Sequence, residues 1–290
     1  MLGNRMVAGK STKYIKTIRP DSRTDETAIL ACKYLWREVC KFRGQIRTVY
    51  RQNFRSAYHG AGLGVLWNFI LPIVPLTVYL FLTKIRVFPN FDGVDGSTYL
   101  TFGVMIWFVF AGCVQLPISI VQSRTKQSMK TSLPLSVSIV ASFAGLAFET
   151  VVRMVFVIII MVLTKSWPSL TAPALLLLFL PGFFLFFGAG LILSVMNVIY
   201  KDVSRLTTIL LQYGIFVSGV IFPLGNSDLA MIASKINPFA VFVNASRDIV
   251  FLGRLGLWIP FAVWSVIGLS VFLIGCRLFY VMEYRIREIN

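Results

Sequence analysis

Residues 63–82 read LGVLWNFILPIVPLTVYLFL, a run of twenty residues without a charged side chain. A bilayer hydrocarbon core of about 30 Å needs about 20 helical residues to cross it, so this run predicts a membrane-spanning helix. Five further apolar runs follow, at residues 99–121, 135–163, 172–200, 206–222 and 257–279. Transmembrane β-strands would read instead as short segments of alternating polarity. The sequence therefore predicts an all-α membrane protein with six transmembrane helices.

The overall composition agrees with this class. Hydrophobic residues make up 57% of the chain and charged residues 14%, which is not the balance of a soluble globular protein. The first apolar run begins too far along the chain for a cleaved signal peptide, so we expect it to be retained as a span. The four cysteines are scattered along the sequence and predict neither a disulfide framework nor a Cys-x-x-Cys metal site.

The distribution of positive charge predicts the orientation of the chain. Thirteen of the 28 Lys and Arg residues lie in the first sixty positions. With six spans, 21 of them fall on the side that holds both termini, counting Arg277 with the C-terminus, and six fall on the opposite side. Positive residues stay cytoplasmic, so both termini are predicted to be cytoplasmic. This asymmetry explains the formal net charge of +16 without nucleic acid, and we expect no nucleic-acid partner.

The segment before the first span divides into two parts. Residues 1–31 are polar and show little periodicity, which predicts a flexible cytoplasmic tail. In residues 32–60, apolar side chains from Leu35 onward and basic side chains from Lys33 to Arg55 fall on opposite halves of a helix at about 100° per residue. Such a basic amphipathic helix lies in the lipid headgroup region, although packing on a soluble partner gives the same pattern. Residues 61–280 then form the six-span domain, and residues 281–290 the cytoplasmic C-terminus.

The region between the fifth and sixth spans returns to apolar character without reaching the length of a span. Phe222-Pro-Leu-Gly225 ends one run, and Asn237-Pro-Phe-Ala-Val-Phe-Val-Asn244 begins a short second one. Broken helices at membrane depth occur where protein or water covers their free backbone groups. A pair of re-entrant helices at the outer mouth fits this pattern, and a loop lying flat on the membrane is the alternative.

Few residues of the chain offer catalytic chemistry. Gly9-Lys10-Ser11 resembles the end of a phosphate-binding loop, but the glycine required five positions earlier is Asn4. We therefore expect no catalytic residue, no metal site and no cofactor bound by this chain. Glu149 and Arg153 lie one helical turn apart in the third run. Charges in a span are functional candidates, but a salt bridge that locks the bundle or a subunit contact explains them equally well.

Two short cytoplasmic loops and a set of aromatic residues are further candidates. The loops cover residues 122–134 and 197–205, and the positive-inside rule explains their Lys and Arg but not Asp202.

Aromatic residues in the second and fourth runs exceed what interfacial anchoring needs. Because aromatic faces stack on sugar rings, these residues are candidates to line a glycan path, with packing against lipid as the alternative. The candidates are Trp107, Phe108, Phe183 and Phe187.

Several short motifs in a fixed order resemble one family. They are residues 50–67 leading into Asn68-Phe-Ile-Leu-Pro72, Leu133-Pro134, Lys201-Asp202-Val203, Asn237-Pro238 and Arg247-Asp248. With six spans and cytoplasmic termini, the chain resembles the membrane (permease) subunit of type-2 ATP-binding-cassette exporters for surface polysaccharides such as O-antigen, capsule or teichoic acid. The resemblance covers about residues 33–285.

The resemblance implies a homodimer in a bacterial cytoplasmic (inner) membrane, with two separate ABC ATPase subunits that hold ATP and Mg²⁺. A lipid-linked polysaccharide would pass between the two copies, and membrane lipids would surround them. The implied ATPase contacts are Arg47, Arg51, Arg55, Lys126, Lys130, Asp202 and Arg205. The alternatives are a permease for drugs or lipids, a membrane-embedded transferase acting on lipid-linked sugars, and a passive channel.

Overall fold

The computed structural model of the chain describes residues 26–56, 62–85, 94–127, 133–221, 232 and 234–288. Most of the predicted tail, together with Lys130 and residues 222–225, lies outside these ranges. The described part is built from helices, as predicted. They are α1 (Ala28–Lys41), α2 (Arg43–Ser56), α3 (Trp67–Lys84), α4 (Gly96–Gln127), α5 (Leu135–Thr164), α6 (Leu175–Ile199), α7 (Asp202–Val217), α8 (Pro238–Arg247) and α9 (Trp258–Glu288).

Four helical segments of the described residues are long and apolar enough to cross a bilayer: Gly96–Ser123, Leu135–Thr164, Ala172–Ile199 and Trp258–Glu283. These confirm the prediction of a multi-pass all-α membrane protein. The helices that correspond to the first and fifth predicted spans are shorter, with 18 residues in α3 and 16 in α7. At 1.5 Å per residue α7 measures about 24 Å, less than a hydrocarbon core of about 30 Å. The count of six spans therefore stays a prediction.

Glycines allow the long helices to pack closely at the centre of the bundle. A Cβ atom on Gly188 of α6 would lie 2.6 Å from the backbone of Phe272 on α9. A Cβ atom on Gly190 would lie 2.7 Å from the carbonyl oxygen of Cys113 on α4. Small residues permit this approach of backbones in membrane bundles, where packing and not water drives helix association. Helix α6 is thus held between α4 and α9.

As far as Ser56, where the described residues of this segment end, the predicted amphipathic helix of residues 32–60 is divided into two helices. Helix α1 begins at Ala28, four residues before the predicted boundary, and Phe42 leaves helical geometry between α1 and α2 with φ −101° and ψ 18°. The two helices differ in what they expose. On α1, Ile29 and Trp36 are 70% and 69% exposed. On α2 the large apolar side chains are buried or half-buried, and Phe54 packs edge-on against Phe148 of α5 at 5.3 Å.

Helix α8 lies in the region where re-entrant helices are predicted, and the described residues 232 and 234–236 before it are also helical. Asn237 caps α8, because its side-chain oxygen accepts a hydrogen bond from the Phe239 amide at 3.0 Å, and Pro238 occupies the first turn. Most of α8 is buried, and a π-helical turn, Asp248–Leu252, follows it. Most of the stretch before α8, residues 222–231 and 233, falls outside the described ranges. The pair and its depth in the membrane remain predictions.

Candidate functional site

Helix α2 presents a ridge of three guanidinium groups. Arg47, Arg51 and Arg55 follow one another at four-residue spacing, which places them on one face, and all three are exposed. The opposite face packs inward, with Val49 only 8% exposed. The sequence of α2, RGQIRTVYRQNFRS, contains no acidic residue to neutralise the ridge. This surface therefore suits a partner that offers carboxylates.

The turn between α6 and α7 forms a second charged surface. Only Tyr200 and Lys201 join the two helices. Asp202 begins α7, where the helix dipole favours a negative charge, and its carboxylate lies 3.6 Å from Arg205 Nη1. Both side chains are more than four-fifths exposed, so this ion pair contributes at most about 1 kcal/mol to folding. Both charged side chains are therefore accessible to a partner protein.

Hydrogen bonds connect this turn to the end of α4. The Ser204 hydroxyl donates to Gln122 Oε1 at 3.2 Å, and the Ser204 amide donates to Asn197 Oδ1 at 3.0 Å. Gln122 lies at the start of the predicted loop 122–134, so the two predicted cytoplasmic loops are joined through side chains. Lys126 lies in the last turn of α4, and Lys130 is outside the described residues. Sequence reasoning missed this connection, because only the fold brings Gln122 to Ser204.

The start of α5 is held by an acidic residue from the far end of the chain. Glu283 is 1% exposed, and its Oε1 accepts hydrogen bonds from the amides of Leu135 at 2.6 Å and Ser136 at 3.4 Å. A carboxylate satisfies the free amides of a helix N-terminus and interacts well with its dipole. The Ser136 hydroxyl donates to Glu38 of α1 at 3.0 Å. Helices α1, α5 and α9 therefore meet directly after the loop 122–134.

Glu149 and Arg153 form an ion pair inside α5. Arg153 Nη2 donates to Glu149 Oε2 at 3.0 Å, and the guanidinium lies 5.1 Å from the ring centre of Phe108. The arginine side chain is 9% exposed and the glutamate side chain 46%. Arg153 Nε and Nη1 have no hydrogen-bond partner among the described residues. Arg153 thus contacts α4 through Phe108, and the Glu149 carboxylate stays partly exposed within a helix predicted to span the membrane.

The structure disperses the four aromatic residues predicted to line a glycan path. Trp107 is 2% exposed and packs 4.2 Å from Phe239 of α8, which makes it a core residue in this chain. Phe108 is half-buried beside Arg153. Phe183 and Phe187 are half-buried and pack with Phe143 of α5 at 5.7 and 4.9 Å. The structure therefore does not bring the four together on one surface.

A polar stripe on α7 was missed by sequence reasoning. Thr208 and Gln212 lie one turn apart and both are exposed. Gln115 of α4 donates from Nε2 to the Thr208 hydroxyl at 3.1 Å, and its Oε1 has no partner among the described residues. Polar side chains within membrane spans face water-filled cavities or protein rather than lipid. Thr208 and Gln212 stand four residues apart in the sequence, but the hydropathy of the run 206–222 does not reveal the face that they share.

A buried arginine joins three elements at the opposite end of the bundle. Arg247 at the end of α8 is 1% exposed, and it donates to the carbonyl oxygens of Tyr99 at 3.2 Å and Val220 at 2.7 Å. Its guanidinium also lies 3.9 Å from the Tyr99 ring centre. Within the described ranges, no three His, Cys, Asp or Glu side chains are grouped as metal ligands.

Comparison with known proteins is consistent with this architecture. Residues 44–251 match the sequence profile of the ABC-2 type transporter family. The chain is also 21% identical over 227 residues to the O-antigen export system permease protein RfbA of Myxococcus xanthus, an alignment that covers 76% of this chain and 85% of that protein. The family match covers well over half of the 290 residues. The chain therefore belongs to the ABC-2 type transporter family, as a permease subunit of a type-2 ATP-binding-cassette transporter.

Proposed function

We propose that this chain is the membrane subunit of an ATP-driven exporter that moves a lipid-linked polysaccharide of the O-antigen kind across the bacterial cytoplasmic membrane. A separate ABC ATPase subunit would bind ATP and Mg²⁺ and hydrolyse the nucleotide. Membership of the family supports a permease that works with such an ATPase. The Myxococcus xanthus relative, an O-antigen export permease, supports the substrate class.

The observation that carries the coupling proposal is the pair of exposed charged surfaces that the fold ties to the spans. One is the Arg47–Arg51–Arg55 ridge, which rests on α5 through α2. The other is the turn at Asp202 and Arg205, which the hydrogen bond from Ser204 to Gln122 links to α4. An ATPase docked on both surfaces would move α4, α6 and α7 together. In this proposal Lys126 and Lys130 extend the same contact.

We propose that two copies assemble, with α3 and α7 as the first and fifth spans. Helix α7 exposes a stripe of large apolar side chains spaced at three and four residues: Leu206, Leu210, Tyr213 and Val217. Residues at this spacing share one helix face. Helix α7 is too short to cross the bilayer by itself. A second copy packed on this stripe would surround the ends of α7 with protein instead of lipid.

The polar stripe beside it is the part of the chain best suited to a hydrophilic path. Gln115, Thr208 and Gln212 offer amide and hydroxyl groups, which hydrogen-bond sugars as they pass. Phe108, Phe183 and Phe187 stay predicted glycan contacts, whereas the burial of Trp107 favours a packing role. A permease for drugs or lipids would not need this stripe, and a transferase would need the clustered acidic or histidine residues that the sequence does not offer.

The test of this function is charge reversal at the turn. The complex of this chain with its ATPase is produced with Asp202→Arg, and surface polysaccharide, ATP hydrolysis and co-purification of the ATPase are measured. We expect loss of export with normal membrane insertion, because the exposed carboxylate adds little to folding. Arg254→Asp, a reversal at an exposed residue in a predicted outer loop, is the control. Normal export by Asp202→Arg would refute the docking surface.

A further inference from the structure

Two cysteine thiols meet between α1 and the last helix of the bundle. Cys32 on α1 and Cys276 on α9 line the same groove and hydrogen-bond to each other. Cys276 is 4% exposed and belongs to an apolar cluster against which the half-buried Cys32 packs. Both are free thiols. Most of the chain separates the two cysteines in the sequence, so only the fold shows that they form a pair.

Neighbouring contacts hold α1 in the position that brings the thiols together. Tyr34 of α1 stacks on Tyr280 of α9, with ring centres 5.7 Å apart and planes 7° apart. These rings stand two residues beyond Cys32 on α1 and four residues beyond Cys276 on α9. Two sulfur atoms in hydrogen-bond contact need only a short further approach to reach the disulfide bond length of about 2 Å. The contacts between the two helices therefore already place the pair for a disulfide.

The two thiols differ in access, and this difference gives them different roles in an oxidation. Cys32 lies outside the predicted spans and is partly exposed, whereas Cys276 is buried. The hydrogen bond with Cys276 lowers the pKa of the Cys32 thiol, although burial acts in the opposite direction. The thiolate is the form of cysteine that reacts as a nucleophile. Cys32 is therefore the thiol that an oxidant meets first, and Cys276 is the thiol that completes the bond.

We propose that Cys32 and Cys276 are an oxidation site, at which a hydroperoxide converts the two thiols to a disulfide that ties α1 to α9. With hydrogen peroxide, the Cys32 thiolate attacks one oxygen, the O–O bond breaks, and Cys32 becomes a sulfenic acid. The other oxygen leaves as water with the proton of the Cys32 thiol. The Cys276 sulfur then attacks the Cys32 sulfur, so the S–S bond forms and the sulfenic hydroxyl leaves as water with the Cys276 proton. The two thiols lose two electrons in total, and the peroxide is reduced to two molecules of water.

The predicted cytoplasmic location of α1 makes this disulfide a transient one. Cytoplasmic thiols are kept reduced, and the disulfides that do form there are mostly catalytic or redox-sensing. The reduced pair is therefore the resting state, and a small thiol such as glutathione restores it after oxidation by thiol–disulfide exchange. In the oxidised state α1 can no longer separate from α9. Neither the transported substrate nor the ATPase takes part in this chemistry.

Peptide mapping of the full-length protein tests the proposal. The protein in detergent is treated with hydrogen peroxide, the remaining thiols are blocked with N-ethylmaleimide, and the digest is analysed by mass spectrometry. We expect a peptide that links Cys32 to Cys276 to appear, and to vanish when the oxidised protein is treated with dithiothreitol. Because both thiols belong to one chain and already touch, the yield of this peptide should not fall when the protein is diluted.

Cys32→Ser should abolish the linked peptide, whereas Cys40→Ser should leave it unchanged. Cys40 is the matched control, because it lies on the same helix and is exposed. Oxidation of the wild-type protein should also slow hydrogen exchange at the α1 amides, since the link prevents local opening of this helix, and Cys32→Ser should remove that change. Peroxide that modifies Cys40 while Cys32 and Cys276 stay reduced would overturn the proposal. So would a disulfide between the Cys40 residues of two chains as the sole cross-link.

Discussion

Replacing Arg247 with methionine removes the donor that closes the end of α7. Helix α7 ends at Val217, and the carbonyl oxygens of Gly219 and Val220 just beyond it accept from Arg247 at 3.4 and 2.7 Å. Gly219 and Val220 are both buried, and buried backbone carbonyls need a hydrogen-bond partner, so they depend on this donor. Methionine preserves much of the side-chain volume but offers no N–H group.

The magnitude follows from the short hydrogen bonds. Two of the Arg247 bonds are no longer than 3.2 Å, those to Tyr99 and Val220. Hydrogen bonds to charged groups contribute about 1.5–3 kcal/mol each, which gives about 3–6 kcal/mol for the pair. Relief of the desolvation of a buried guanidinium offsets part of this loss. We therefore expect a destabilisation at the lower end, about 3 kcal/mol, equivalent to a fall in Tm of about 5–10 °C.

Thermal unfolding in detergent micelles measures this effect. Cys113 is 1% exposed, so a variant that retains only this cysteine reports unfolding through a fluorogenic maleimide. Arg254→Met, which removes an exposed arginine close by in the chain, should leave Tm unchanged. A fall of less than about 2 °C for Arg247→Met would contradict the reasoning.

A second variant tests the same contact from the opposite side. A Cβ atom on Gly103 of α4 would overlap the Arg247 guanidinium, so Gly103→Ala should displace this side chain and destabilise the protein. In the Arg247→Met background the alanine meets a flexible thioether, so its effect should shrink. Residues in contact give non-additive changes in the free energy of unfolding. Additive effects of the two substitutions would show that the guanidinium does not organise this end of the bundle.

Two further predictions concern the acidic residues. Glu283→Gln should cost about 1–2 kcal/mol, because a neutral amide is a weaker partner for the start of α5, and hydrogen exchange should increase at the amides of Leu135 and Ser136; unchanged exchange there would refute the capping role. Alanine at Glu149 or at Arg153 should lower stability or export. The double variant that swaps the two residues, Glu149→Arg with Arg153→Glu, should restore much of the loss. If the swapped variant restores neither stability nor export, the pair acts through more than mutual attraction.

The long helices could be predicted from the sequence because the bilayer fixes their length. Residues 99–121, 135–163, 172–200 and 257–279 correspond to helices of spanning length in the structure. The break at Phe42 could not be predicted, since no proline interrupts the segment and its amphipathic period continues from α1 into α2. Helices α1 and α2 differ in what they pack against, and the periodicity of the sequence does not contain this information.

The candidate site was predictable only where charge alone identifies it. The spacing of Arg47, Arg51 and Arg55 was enough to place them together on one face. The hydrogen bond between Gln122 and Ser204 joins residues 82 positions apart, so only the tertiary fold reveals it. The prediction for Trp107 failed for another reason. An abundance of aromatic residues in a sequence does not tell which rings face a path and which fill the core.

The cap that Glu283 provides for α5 has a consequence for how the protein is made. Its partner Leu135 lies 148 residues earlier, and synthesis proceeds from the N-terminus. At about 5–20 residues per second, the first amides of α5 wait about 7–30 s for their acceptor while the later helices are inserted. The first turn of α5 thus gains this acceptor only after α9 has been synthesised. A chain truncated before α9 should therefore leave the amides of Leu135 and Ser136 without this acceptor.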